Sequence, residues 1–361
     1  MKVNGENFRS IWRDKSSQEV KIIDQRYLPH SLNVIKLVSL NDYCVAISDM
    51  KVRGAPLIGV TAAFAIAESM KKDPSDKGLQ ITCNLLSKTR PTAVNLFWAL
   101  NLFKDKLSKI TGNRRAEEAH KLANSLAEED IQKNRSIGQE GLRILSELAN
   151  KKNHKVVNVL THCNAGWLAT VDWGTALAPI FRANREGISI HVWVDETRPR
   201  NQGGLTAWEL ANEDIDHTLV VDNCGGHLMQ RGLVDLVIVG SDRTTSAGDV
   251  CNKIGTYLKA LAAKENDIPF YAALPSSTID WNIQNGLNDI PIEDRSSEEI
   301  DYINGLDSDG VLKTIRLYPE EIKSLNPAFD VTPSKFITGI ITEKGIFNPN
   351  EKTLRKAFDK L

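Results

Sequence analysis

From residue 155 onward the chain alternates apolar strand-like runs with helical segments, and this alternation constrains the fold more than any other feature. The runs lie at 155–161, 188–195, 217–222, 233–240 and 268–274, and helical spacing fills 166–185, 205–213, 224–231 and 252–264. Strands apolar on both faces and separated by helices form a parallel sheet covered on both sides, because a parallel connection needs a crossover that a helix supplies. Such crossovers are right-handed. A later run, Phe336-Ile337-Thr338-Gly339-Ile340-Ile341, is expected to close or edge the sheet. The expected fold class is therefore α/β.

The first part of the chain reads differently. Short apolar alternations at 20–24 and 33–37 suggest strands of a small sheet. Residues 57–71, LIGVTAAFAIAESMK, are apolar almost all round, as in a buried helix. Residues 93–110 and 115–150 are helical by period, the second with many charges on one face. A junction near residue 125 would divide the chain into a smaller N-terminal domain of helices and a small sheet, 1–125, and a larger one, 126–361.

Composition removes several function classes. The formal net charge of −1 gives no global attraction to nucleic acid or an anionic membrane. No apolar run reaches the ~18 residues that span a bilayer, and the N-terminus, MKVNGENFRSIWRDK, lacks the apolar core of a secretory signal. Five scattered cysteines, with no C-x-x-C pair, fit reduced thiols in a cytoplasmic protein rather than a disulfide frame or zinc knuckle.

In open parallel sheets ligands bind beyond the carboxyl ends of the strands. Here those ends are polar: THCNAG, DETRPRNQGG, DNCGG, GSDRTTSAGD and PSSTID, in order. All five should point the same way, which favours an enzyme. Cys163 sits in a strand-to-helix turn, where a helix N-terminus would favour a thiolate; a small buried thiol under the turn is the equally common alternative. His162 fits a structural hydrogen-bonding role better than a catalytic one, and because it and Cys163 point opposite ways along a strand, a joint metal site is not expected. Asp242, just past the fourth strand, can project into the cleft, and a partly apolar setting would let it serve as acid as well as base; the alternative is a bridge to Arg243 or a turn contact. Asp249 reads as the N-cap of a helix beginning near residue 251. Neither G-x-G-x-x-G nor a Walker sequence occurs, which argues against a dehydrogenase and leaves phosphate binding to helix N-termini and basic side chains. Arg53-Gly54-Ala55-Pro56 before the buried helix, Arg90 before Pro91, and Asn252-Lys253 at a helix start are the candidates.

Together these strings resemble the methylthioribose-1-phosphate isomerase family, part of the wider family of the alpha, beta and delta subunits of translation initiation factor 2B. KVRGAPLIGV, RPTAVNL, THCNAGWLAT, WVDETRPRNQG, LTAWEL, GSDRTTSAGDVCNKIGTY, LPSSTID, FDVTP and ITGIITEKGI carry the resemblance nearly end to end. It implies a Rossmann-like C-terminal domain, a homodimer, no metal and no organic cofactor. The implied catalytic pair is Cys163 and Asp242; the implied substrate-binding positions are Arg53, Gly54, Ala55, Arg90, Gln202, Asn252 and Lys253. The implied reaction is aldose-to-ketose isomerisation of a pentose 1-phosphate, 5-methylthioribose 1-phosphate, in methionine salvage. A related isomerase of 5-deoxyribose 1-phosphate, and a non-catalytic sugar-phosphate-sensing subunit, are the alternatives.

Two departures from the family pattern stand out. Gln202-Gly203-Gly204-Leu205-Thr206 is one residue shorter than the usual Q-G-A-R-L-T and lacks its arginine, and Arg243-Thr244-Thr245-Ser246-Ala247 is more polar than its usual counterpart. Both are expected beside the substrate, where they would bear on the group carried at C5.

Overall fold

The structure, a computed structural model, describes residues 1–90 and 93–359; Pro91 and Thr92 of the RPTAVNL stretch lie outside the described residues. Near the N-terminus, β1 (Ile11–Arg13), β2 (Val20–Ile23) and β3 (Val34–Leu37) form an antiparallel sheet. Helix α1 (Leu40–Ser48) opens with a capping box between Ser39 and Asp42. Helix α2 (Ala55–Lys72) is buried along most of its length, as its all-round apolarity requires, and α3 (Asp76–Ser87), α4 (Val94–Leu107) and α5 (Asn113–Lys151) pack about it.

Helix α5 runs unbroken through residue 125, the expected junction. Its Ala119, Ala123, Leu126, Ala127 and Ile131 join the core built on α2, whereas Ile137, Leu145 and Ala149 join the core beneath the large sheet. One rod thus serves two cores.

The large sheet contains β4 (Val157–Thr161), β5 (Ile190–Asp195), β6 (Asp216–Val220), β7 (Leu236–Val239), β10 (Phe270–Ala273), β13 (Gly339–Thr342) and β14 (Gly345–Phe347). Its spatial order, β6-β5-β4-β7-β10-β13-β14, is that of the Rossmann fold, parallel throughout except for the antiparallel edge β14. The run at 336–341 is therefore not the edge: a 3₁₀ turn occupies Ser334–Phe336, β13 begins at Gly339, and β14 lies outside it. The crossovers are α6 (Leu177–Arg185), α7 (Gln202–Asn212), α8 (Cys224–Gln230) and α9 (Thr256–Glu265). The order of strands reverses between β4 and β7, and the chain leaves these two strands at Cys163 and Asp242.

Three local expectations need correction. Residues 166–176 are not helical: after a 3₁₀ turn at Trp167–Ala169 the chain loops back, with Trp173 and Gly174 at positive φ, and α6 starts only at Leu177. The loop is held by tertiary bonds instead, the amides of Trp167 and Leu168 donating to Glu209 and that of Val171 to Asp130. Asn252 and Lys253 stand on a strand, not at a helix start: β8 (Arg243–Thr245), β9 (Val250–Lys253), β11 (Ile279–Asp280) and β12 (Phe329–Thr332) make a second sheet, ordered β11-β8-β9-β12. Asp249 consequently caps nothing near 251. It accepts from the amides of Gly286 and Ser334, while the start of α9 is capped by Asp330, which accepts from Gly255 and Tyr257.

Asp130 carries a testable electrostatic cost. It is buried in α5, and burial pushes its carboxyl up to about 7. The folded protein therefore holds a proton there that the unfolded chain releases, so this group's stabilising contribution is full below about pH 4 and disappears as pH rises through 7. Asp130→Asn is expected to raise Tm relative to the parent at pH 8 and less so at pH 5. A pH-independent difference in thermal melts would contradict this.

Candidate active site

The end of β4 is bent sharply. Cys163 adopts a left-handed conformation (φ 69°), a strained choice for a residue with a side chain that concentrates at functional sites. Its backbone is clamped from both sides: its N–H donates to Thr197 Oγ1 (2.8 Å), and its carbonyl accepts from Thr206 Oγ1 (2.8 Å). His162 points the other way into a buried network. Its Nε2 meets the carbonyl of Ile254 at 2.8 Å and its Nδ1 meets Asp195 at 3.0 Å, while Lys259 also reaches Asp195 (3.2 Å). His162, Asp195 and Asp222 lie close enough to suggest a metal set. The ammonium of Lys259 already supplies the cation there.

Cys163 and Asp242 line one cavity of about 1070 Å³, counting the space at its mouth. Arg53, Gly54, Ala55, Arg90, Gln202, Asn252 and Lys253 line it too, so the catalytic and substrate-binding positions implied by the resemblance all lie along this cavity, while His162 and Asp249 do not. Two of the five strand ends stay away. Asp222 of DNCGG accepts from the amides of Thr197 and Arg198, and in PSSTID Ser276 is bonded to Glu343 and Ser277 to Asn95. Their place is taken by the N-terminal helices, which bring Arg53 and Arg90, and by the second sheet, which brings Lys253.

Gly54 sits at the start of α2 with φ 95°, and a Cβ there would overlap the backbone of Ala169. Only glycine lets the uncapped N-terminus of this helix come so close to the loop after Cys163. Arg53, beside it, donates through Nε to Gln25 (3.2 Å), while its buried Nη2 has no partner among the described residues. Arg90 reaches Glu293 through Nη2 (3.4 Å) and leaves Nε likewise unpartnered. Lys253 is 7% exposed, with its ammonium 4.9 Å from the Phe329 ring centre. Two guanidinium donors, a lysine and a helix N-terminus define an anion site.

The titrating groups bear on one another. Burial raises the Asp242 carboxyl, with Lys253 and Arg90 pulling against it. Burial also raises the Cys163 thiol, again opposed by Lys253. Of the two readings of Cys163, this favours the buried thiol over the thiolate: the chain after Cys163 is a loop rather than the start of a long helix, so the expected helix N-terminus is not there to lower it. Burial in turn lowers Lys253, which Cys163 and Asp242 oppose. The arrangement is an acid pair beside a cationic pocket, suited to proton movement on an anionic substrate.

Most of each sequence departure lies off the cavity, with Gln202 lining it from the first run. Gly203 fits tightly against the carbonyl of Asp195, and Gly204 faces a neighbouring cleft beside Pro29. Thr244, Thr245 and Ser246 are fully buried; of this run only Arg243 lines the cavity. The sequence reading missed Glu209, Asn164 and Thr206, which brace the Cys163 loop. A glutamate inside the apolar LTAWEL helix was the available signal.

Fold and cavity together define a Rossmann-like protein with acidic and cationic side chains meeting at one cleft, and the chain belongs to the initiation factor 2 subunit family, whose profile matches residues 51–349. It is 55% identical to the methylthioribose-1-phosphate isomerase of Brucella anthropi over 99% of both chains, and 54% identical to that of Escherichia coli O45:K1, covering 100% of this chain and 97% of the other. The crystal structure of 5-methylthioribose 1-phosphate isomerase from Pyrococcus horikoshii superposes with a TM-score of 0.84 at 38% identity, covering 99% of this chain and 97% of that one. The delta subunit of initiation factor eIF-2B from A. fulgidus superposes with a TM-score of 0.79, also at 38% identity, covering 98% and 100%.

Proposed function

We propose that this protein is a methylthioribose-1-phosphate isomerase that converts 5-methylthioribose 1-phosphate to 5-methylthioribulose 1-phosphate in methionine salvage. The observation that carries the reading is the meeting of Cys163 and Asp242, at the reversal point of the sheet, with the cations Arg53, Arg90 and Lys253. A sugar 1-phosphate has its anomeric oxygen blocked and cannot open spontaneously to an aldehyde. The enzyme must protonate the departing ring oxygen and then move hydrogen from C2 to C1. Asp242, whose carboxyl burial makes a weaker acid, donates to the ring oxygen, and Lys253 and Arg90 stabilise the carboxylate left behind. Cys163 acts at the neighbouring carbons. The phosphate rests on Arg53, Lys253 and the start of α2.

Among the described residues no helix is long and apolar enough to cross a membrane, and the five cysteines are free. These fit the cytoplasmic setting we assign. The homodimer that accompanies this reading is checked by light scattering.

A substrate panel followed by phosphorus NMR tests the reaction. Turnover is expected on both 5-methylthioribose 1-phosphate and 5-deoxyribose 1-phosphate, with the former preferred by about 10–200-fold in kcat/KM, the range of one or two extra apolar atoms. Ribose 1-phosphate is expected to be poorest, its 5-hydroxyl losing water for no partner. Preference for ribose 1-phosphate would overturn the C5 assignment, and no turnover on any pentose 1-phosphate would leave a sensing subunit. Bound sugar phosphate is also expected to slow alkylation of Cys163, read by mass-spectrometric mapping of the labelled thiols; a rate indifferent to ligand would place the thiol outside the cleft.

A further inference from the structure

We infer that Asn164 is a substrate-reading residue, its side-chain oxygen accepting a hydrogen bond from a ring hydroxyl of the sugar, and that Glu209 and Thr206 are the positioning residues that fix the direction of its amide. The inference rests on the pentose 1-phosphate reading and extends it to a residue next to Cys163. An asparagine amide can face either way, and its neighbours decide which. Here Nδ2 lies 2.9 Å from Glu209 Oε1 and 3.2 Å from Thr206 Oγ1. Burial raises the Glu209 carboxyl to about 7, but main-chain donors fix its oxygens as acceptors: Oε2 takes the amide of Trp167 (2.8 Å), and Oε1 takes that of Leu168 (3.1 Å) beside Asn164. The Thr206 hydroxyl spends its one proton on the carbonyl of Cys163 and therefore accepts from Asn164 as well. Both neighbours demand the NH₂ side, so Oδ1 is the atom left over.

Asn164 lines the cavity, is 8% exposed, and its Oδ1 has no hydrogen-bond partner among the described residues. A buried acceptor without a donor is unfavourable, and a ligand hydroxyl relieves it. Gln202 Oε1 is a second acceptor of this kind in the same cavity. The unpartnered donors are Arg53 Nη2 and Arg90 Nε, on residues that line the same cavity. The cavity thus offers donors suited to a phosphate together with acceptors suited to hydroxyls.

The test is titration calorimetry of the whole protein, wild type, Asn164→Ala and Glu209→Gln, with two probes: 5-methylthioribose 1-phosphate and inorganic phosphate, which carries no sugar hydroxyl. Asn164→Ala is expected to weaken sugar phosphate by about 10–100-fold, the loss typical of one well-placed bond to a buried group, and to leave inorganic phosphate within about twofold. Glu209→Gln is expected to act in the same direction, because a neutral amide no longer dictates which face Asn164 presents. If that variant does not fold, Thr206→Val, which removes the other acceptor while keeping the shape, replaces it with the same expectation. Equal weakening of both probes would reduce Asn164 to a structural brace, and unchanged sugar affinity would refute the contact outright. Wild-type turnover is read separately. A wild type that binds the sugar phosphate without isomerising it overturns the reaction, and the binding comparison still decides Asn164; one that binds phosphate alone overturns both.

Discussion

Cys163→Ala and Asp242→Asn are each expected to lower kcat by about 10²–10⁴, the usual contribution of a positioned acid–base group, while leaving a folded protein that binds 5-methylthioribose 1-phosphate. The two residues end adjacent central strands, where the sheet order reverses, and both face one cavity. Asp242→Asn keeps the shape of the side chain and removes the proton it can donate. Its loss should also remove one limb of the pH profile. Because burial raises the Asp242 carboxyl, the protonated donor persists above the ordinary carboxylate range, and kcat of the parent is expected to fall as pH rises through that raised value. Cys163→Ala removes a thiol without altering the clamp on its backbone, which is made by main-chain atoms of Cys163 with Thr197 and Thr206. Single-turnover rates and binding isotherms of the two variants check the expectation; near-parental kcat in either removes that residue from the chemistry.

Gly54→Ala is expected to cost on the order of 10²-fold in kcat/KM, the scale of a misplacement of about 1 Å in a site of this kind. Two effects act together. The backbone at φ 95° disfavours any side chain, and the added methyl would occupy the space of the Ala169 backbone. Relief requires α2 to move away from the loop after Cys163, taking Arg53 and the helix N-terminus with it. The loss should therefore appear mainly in KM and in the affinity for inorganic phosphate, with a lowered Tm. Unchanged kinetics would mean that the phosphate does not rest on this helix.

Much of the sheet was legible because a buried parallel strand has to be a continuous apolar run, and all five early runs lie on strands, even β6 at the more exposed edge. Legibility ended where tertiary partners overrule local preference. WLATVDWGTALAPIF has helical composition, yet Glu209 and Asp130 offer its amides better-placed acceptors than its own carbonyls. Asp249 has the look of an N-cap, but the capping carboxylate of α9 comes from Asp330, a long way along the chain, on β12. VCNK pairs as a strand because β8 and β12 flank it on either side. The nine site positions were those the family resemblance implies, most of them also flagged by turns and motifs, without any view of their mutual distance. Asn164 was overlooked because its significance lies in which of its two atoms is left without a partner, and that depends on Thr206 and Glu209, 42 and 45 residues onward.

Helix α5 gives both halves of the site a common fate. Its first turns are sealed into the core that carries Arg53 and Arg90, and its last turns into the one that carries Cys163 and Asp242. Neither core can lose order without stripping apolar surface from the rod on which the other depends. A chain severed between Ile131 and Ile137 would leave each fragment with a greasy stump, whereas the intact chain should open its central α5 amides to hydrogen–deuterium exchange only when the whole molecule unfolds. The phosphate cradle and the acid pair then survive or perish together, with no long-lived half-built enzyme in between.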